Sequence, residues 1–124
     1  ALVADDSITM RKVTTRVLEA YDFEVVTARD GVEATEQMQE RVPDLLLLDI
    51  EMPRMDGYQV AEYVRADARL RNVPIIMITS RAGKKHRDRG KQAGANAYLS
   101  KPYKESELID EVRKLLRSEL EQND

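Results

Sequence analysis

The chain has 124 residues, 35% of them charged, with a net charge of −3 and no cysteine. That length suits one domain whose core needs no disulfide or structural metal, and the missing thiols exclude a disulfide scaffold, a thiolate zinc site and a cysteine nucleophile, which fits a cytoplasmic setting. The acidic balance is not the basic footprint of a nucleic-acid binder, and no apolar run approaches the roughly 18–20 residues that cross a bilayer, so neither direct nucleic-acid contact nor membrane insertion is expected.

Short apolar runs alternate with amphipathic stretches of about three turns, the rhythm that predicts βα units around a parallel sheet. Ala1-Leu2-Val3-Ala4 begins as a strand without a start methionine, and residues 1–124 read as a single domain cut from a longer chain. Ser7 caps a first helix in which Met10, Val13, Val17 and Leu18 recur at helical spacing. Phe23–Ala28 reads as a second strand. Asp30 caps a second helix with Ala34 and Met38 on one face, and Val42-Pro43 ends it. Leu45–Leu48 is an uninterrupted apolar run that stops at Asp49, the pattern of a central strand covered on both faces. Pro53 to Gly57 forms a turn, and Val60, Ala61 and Val64 give the next helix its inward stripe. Pro74–Ile78 is another buried strand, ending at Thr79-Ser80, and a polar helix from Lys84 to Ala93 follows, stopped by Gly94. Ala97-Tyr98-Leu99 is a short last strand and Lys101-Pro102 a tight turn. Leu108, Ile109, Val112, Leu115 and Leu116 define a final helix ahead of a polar stretch, Glu119 to Asp124, that fits a frayed tail or the start of a linker.

Right-handed crossovers with helices on both faces favour a doubly wound α/β sheet, whose crevice lies outside the carboxyl ends of the strands. Asp5, Asp6, Asp49 and Thr79 fall at such ends and Lys101 lies just past the fifth strand, so residues far apart in sequence are expected to meet. Three carboxylates in one crevice repel unless a cation sits among them. Mg²⁺ suits that inventory, because it takes one or two carboxylates, keeps several waters and completes its octahedron with phosphate oxygens. The backbone carbonyl of Glu51 could add a ligand. Asp49, fixed by the central strand, is then the candidate nucleophile for an acyl phosphate, with Asp5 and Asp6 holding the metal and the Lys101 ammonium adding positive charge. The Thr79 hydroxyl can donate to a phosphate oxygen, and Tyr98 on the edge strand could fill the space Thr79 vacates, coupling modification to surface shape. Taken alone, each feature has a plain reading: the acids before Ser7 as turn chemistry, Asp49 as a solvated strand end, Thr79-Ser80 and Lys101-Pro102 as bends, Tyr98 as core. Their convergence on one rim favours a site.

The ordered set Val3-Ala4-Asp5-Asp6-Ser7, Asp44-Leu45-Leu46-Leu47-Leu48-Asp49, Met52-Pro53 with Met55-Asp56-Gly57, Ile78-Thr79-Ser80 and Lys101-Pro102 resembles the receiver domains of two-component response regulators over essentially the whole chain. The resemblance implies a flavodoxin-like, five-stranded parallel sheet in the order 2-1-3-4-5 with helices on both faces. It implies Asp49 as phosphoacceptor, Asp5 and Asp6 as metal-site acids, Thr79 and Tyr98 as a switch pair, Lys101 as the phosphate-binding lysine and a cis Lys101-Pro102 bond. The implied donor is a phosphohistidine on a histidine kinase or histidine phosphotransfer domain, docking on the exposed side of the first helix and the loop after Asp49. Enzymatic activity would go no further than self-phosphorylation and self-dephosphorylation. The stretches Asp6–Thr14 and Asp49–Tyr58 look most like receivers at the ends of chemotaxis- and pilus-type hybrid histidine kinases, in which case the parent chain would be the kinase; the alternative is a free-standing single-domain regulator. Glu51, two residues after Asp49, and Ser80, just after Thr79, depart from members with smaller or neutral residues there, which leaves phosphoryl lifetime open.

Rival classes fit less well. An aspartyl-phosphate hydrolase needs a second acid, for which Glu51 is the candidate, and a cap for which 124 residues leave little room. A flavin module needs a phosphate-cradling loop after the first strand, where two acids would repel a phosphate. A receiver reduced to partner binding is disfavoured by the intact Asp6, Asp49 and Lys101. Lys84, Lys85, His86, Arg87, Arg89 and Lys91 read as a solvated helix face, and His86 is assigned to neither metal nor phosphotransfer.

Overall fold

The computed structural model describes residues 1–80 and 83–122, the backbone alone beyond Leu116. Strands β1 (Leu2–Ala4), β2 (Val26–Ala28), β3 (Leu46–Asp49), β4 (Ile75–Thr79) and β5 (Ala97–Ser100) alternate with helices α1 (Ile8–Ala20), α2 (Gly31–Glu40), α3 (Gly57–Ala66), α4 (Lys84–Ala93) and α5 (Glu105–Gln122). All pairings are parallel and the sheet order is β2-β1-β3-β4-β5. This is the doubly wound arrangement expected, and the Lys101-Pro102 bond is cis. Among the described residues no helix is long and apolar enough to cross a membrane. The last residues of the polar tail, Asn123 and Asp124, lie outside the described residues; Glu119 to Gln122 belong to α5.

The unbroken leucine run has the reason anticipated for it. Leu46 and Leu48 join Leu2, Met38, Val60 and Met77 in the core under α2, α3 and α4. Leu45 and Leu47 join Val3, Leu18, Ile78 and Leu108 in the core under α1 and α5. A strand buried on both faces has no use for polar alternation. Ser7 caps α1 by accepting from Met10 N–H at 3.2 Å, and Asp30 caps α2 by accepting from Glu33 N–H at 2.8 Å. Gly94, at φ 110°, ends α4 in the left-handed region.

Two expectations are corrected. The second strand starts at Val26, not Phe23, because β1 spans Leu2–Ala4 and its register pairs Leu2 with Val26, leaving Phe23–Val25 with no strand to bond. In α1 the inward position is Thr14, 2% exposed, while Val13 is 43% exposed. Val13 lies about 140° around the helix from the buried Leu18 at 3.6 residues per turn.

The loop from β3 to α3 is folded tightly under Asp49. Gly57 N–H donates to the Ile50 carbonyl at 2.9 Å, and Asp56 caps α3 in a reciprocal capping box with Gln59. A Cβ on Gly57 would lie 2.5 Å from the Asp49 carbonyl oxygen. On the far side of this loop a Cβ on Gly31 would lie 2.2 Å from the Met55 carbonyl oxygen, so α2 also abuts it. Arg54, at φ 66°, pairs with the buried Asp30 carboxylate at 2.8 Å. That carboxyl lies below its ordinary pKa, first because it accepts the Glu33 N–H and then because of Arg54.

Candidate functional site

The register of the three central strands assembles the site. Ala4 pairs with Leu48 and Asp49 with Ile78, so Asp5, Asp49 and Thr79 emerge side by side at the carboxyl edge. Thr79 is followed across the pairing by Ser100, the last residue of β5, which delivers Lys101 to the same rim. Lys101 N–H donates to the Thr79 carbonyl at 2.7 Å, fixing the start of the turn.

Asp5, Asp6 and Asp49 each place a carboxylate oxygen within 4.8 Å of the others. Asp5 and Asp49 are buried and Asp6 is exposed. The Lys101 ammonium sits between the buried pair, 3.1 Å from Asp5 Oδ2 and 3.5 Å from Asp49 Oδ1. Asp5 is further held by Ser7 N–H, which donates to Oδ1 at 2.9 Å, and by the Arg11 guanidinium, which donates to its carbonyl at 2.6 Å.

Three acids face one ammonium, and the imbalance registers at Asp49. Its carboxyl is pushed up to about 7, first by burial and then by the charge of Asp5, with Asp6 adding; Lys101 and a hydrogen bond from the Glu51 amide pull the other way. Burial on its own would lower the Lys101 ammonium, but the hydrogen bond to Asp5 and the charges of Asp49 and Asp5 outweigh it and raise its pKa. A cluster with excess negative charge, all oxygen donors and one open, exposed member fits a hard divalent cation such as Mg²⁺.

The residues singled out in the sequence are thus brought together in the cases of Asp5, Asp6, Asp49 and Lys101. The Glu51 backbone also reaches the site, through its N–H. Thr79 is wholly buried at the end of β4. Tyr98 lies further back: a Cβ on Gly90 of α4 would meet its ring at 3.3 Å and Met77 Sδ at 3.2 Å, so the ring is seated against α4. His86 does not join the cluster of acids; its backbone carbonyl accepts from the Tyr58 hydroxyl at 3.5 Å. In the basic helix Arg89 stacks over the Tyr58 ring at 4.1 Å, while Lys84, Lys85, Arg87 and Lys91 are exposed, as a solvated face requires.

Three contributors were not anticipated. Arg11 stands one turn beyond Ser7 on the same helical face, a signal the spacing contained. Arg54 with Asp30 and Tyr103 with Thr14 join segments far apart in the chain and have no local signature.

The family model for the response regulator receiver domain matches residues 1–113. The chain is a response regulator receiver domain. This receiver is 34% identical over 115 residues to the polar-differentiation response regulator DivK of Brucella ovis, covering 93% of each chain. It is 36% identical over 124 residues to the sensor histidine kinase CheAY of Helicobacter pylori, but spans only 15% of that kinase's length. Among solved structures, the signal receiver domain of a histidine kinase from Syntrophus aciditrophicus superposes with a TM-score of 0.88 at 30% identity, covering 94% of this chain and 89% of that one. The receiver domain of a sensor histidine kinase from Pseudomonas aeruginosa, determined with a magnesium ion coordinated in its active-site cleft, superposes with a TM-score of 0.85 at 32% identity, covering 92% and 93%. Receivers of this family serve two-component phosphoryl transfer, interact in general with histidine kinases or phosphotransfer partners, and bind Mg²⁺ in the active site.

Proposed function

We propose that Asp49 accepts a phosphoryl group from a phosphohistidine on a histidine kinase or histidine phosphotransfer domain in the cytoplasm, and that Thr79 and Tyr98 convert its arrival into a new surface. The supporting observation is the placement of three carboxylates and one ammonium around the end of the central strand. An Asp49 carboxylate oxygen attacks phosphorus while the P–N bond to the donor imidazole breaks, and the bonding pair leaves on the ring nitrogen. Asp49 must be ionised to attack, and Lys101, held on it, favours that form and then faces the transferred oxygens. Asp5, Asp6, Asp49 and the Glu51 backbone carbonyl would hold Mg²⁺. When bound, the ion supplies positive charge to the phosphoryl oxygens and lets the acids share one site.

The exposed side of α1, where Ile8 is 60% exposed beside Asp6, together with the loop after Asp49, is the docking face for the donor. Glu51, exposed at the mouth, and Ser80 set the access of water and donor to the acyl phosphate. Relatives of this receiver include a domain within a larger kinase and a regulator of nearly its own length; the motifs around Asp6 and Asp49 favour the hybrid-kinase context, with a stand-alone regulator as the second reading.

Borohydride reduction of the phosphorylated chain tests the assignment, since it converts an aspartyl phosphate to homoserine. Homoserine is expected at position 49; its appearance at position 5 or 6 instead would sink the acceptor assignment. Asp6→Ala is expected to weaken Mg²⁺ binding about tenfold or more by removing the open carboxylate. An unchanged dissociation constant by calorimetry would remove Asp6 from the metal site.

A further inference from the structure

One face of α1 serves both members of the Asp5–Lys101 pair. Ser7 N–H and the Arg11 guanidinium hold Asp5 by its carboxylate and its carbonyl. One turn further along, the buried Thr14 hydroxyl meets the Tyr103 hydroxyl at 2.5 Å, a contact spanning 89 positions of the chain. Tyr103 stands two residues beyond Lys101 in the turn from β5 to α5. That turn is therefore anchored twice: to β4 through Lys101 N–H and the Thr79 carbonyl at 2.7 Å, and to α1 through the phenol. Burial holds the Tyr103 phenol above its ordinary pKa, so it stays neutral and either hydroxyl can donate. The ring packs against the α1/α5 core, a role phenylalanine would fill equally well. The hydroxyl adds a fixed direction toward α1.

We propose that the Thr14–Tyr103 hydroxyl pair is a positioning element for Lys101, tying the turn that carries it to the helix that holds Asp5 and so keeping the ammonium on Asp5 and Asp49. This rests on the reading in which Lys101 contacts the phosphoryl group. A displacement of about 1 Å at such a group is enough to cost a large factor in rate.

Tyr103→Phe and Thr14→Val each remove one hydroxyl and keep the shape, and Thr14→Ser restores it. Two measurements are made on the full chain: the initial rate of phosphoryl uptake from acetyl phosphate at saturating Mg²⁺, with Lys101→Ala as the limit, and the exchange of Lys101 ammonium protons with water in the metal-free protein by NMR. Each single variant is expected to slow uptake about fivefold to tenfold, less than Lys101→Ala does, and the double variant to be no slower than either single, because one unit has been broken. Thr14→Ser is expected to keep the rate within about twofold, and the Lys101 protons to exchange about fivefold faster in Tyr103→Phe and Thr14→Val. Uptake and exchange both unchanged, or a double variant showing the product of the single effects, would overturn the proposal. If no phosphoryl group enters even the unaltered chain, the Asp49 reading fails on its own; faster ammonium exchange in the variants then still upholds the role of the pair, and unchanged exchange overturns it.

Discussion

Asp49→Asn is expected to make the metal-free protein more stable at about pH 8, by an amount on the order of a few kcal/mol, while deleting the proposed acceptor. Burial and the neighbouring Asp5 push the Asp49 carboxyl up to about 7, so the folded chain holds a proton that the unfolded chain has released. A carboxyl raised on folding contributes its stability below the unfolded pKa of about 4 and loses it as pH rises through the folded value. The metal-free protein should therefore lose stability between about pH 4 and pH 7, with the full gap reached by about pH 8, and the asparagine variant, which cannot ionise, should lose much less. Urea denaturation of both chains across that window checks this, because their difference cancels every group they share. Millimolar Mg²⁺ at the upper pH should close most of the gap. Wild-type stability that holds or rises toward pH 8 relative to the variant would show that the three acids are not in repulsive contact.

Gly57→Ala carries the other large effect. The added methyl would lie 2.5 Å from the Asp49 carbonyl oxygen and 2.8 Å from Ile50 Cα, backbone atoms of the last residue of β3 and of the residue that follows it. No side-chain rotation relieves such a clash, so the loop must move, at a cost of about 3 kcal/mol. Because Gly57 N–H also holds the Ile50 carbonyl, that movement is transmitted to Asp49. Chemical denaturation should register the loss, and Mg²⁺ affinity should fall with it. A variant as stable as the parent would mean that the close approach of α3 to β3 is not what sets the acceptor's position.

The parts of this molecule legible in the sequence are those governed by local rules. The leucine run of β3, the inward stripe Val60, Ala61, Val64 of α3 and the caps Ser7 and Asp30 depend on periodicity and on hydrogen bonds within one turn of chain. The rim of Asp5, Asp49, Thr79 and Lys101 was legible at one remove, since a doubly wound sheet brings its strand ends together whatever the intervening sequence. What escaped depends on register or on distant pairing. The start of β2 is fixed by where β1 begins to pair, and Val13 turns outward because Thr14, not a more apolar neighbour, faces Tyr103. The Arg54–Asp30 and Thr14–Tyr103 contacts join polar residues that would serve equally well in solvent, so composition carries no trace of them.

Intact mass after incubation with acetyl phosphate, with and without Mg²⁺, for this chain and for Asp49→Asn, tests the acceptor chemistry most directly. The expected result is a Mg²⁺-dependent gain of one phosphoryl group that disappears in the variant. A gain that survives in Asp49→Asn, or none in the parent chain under conditions where Mg²⁺ binding is demonstrated, would contradict the assignment of Asp49 as the phosphoacceptor.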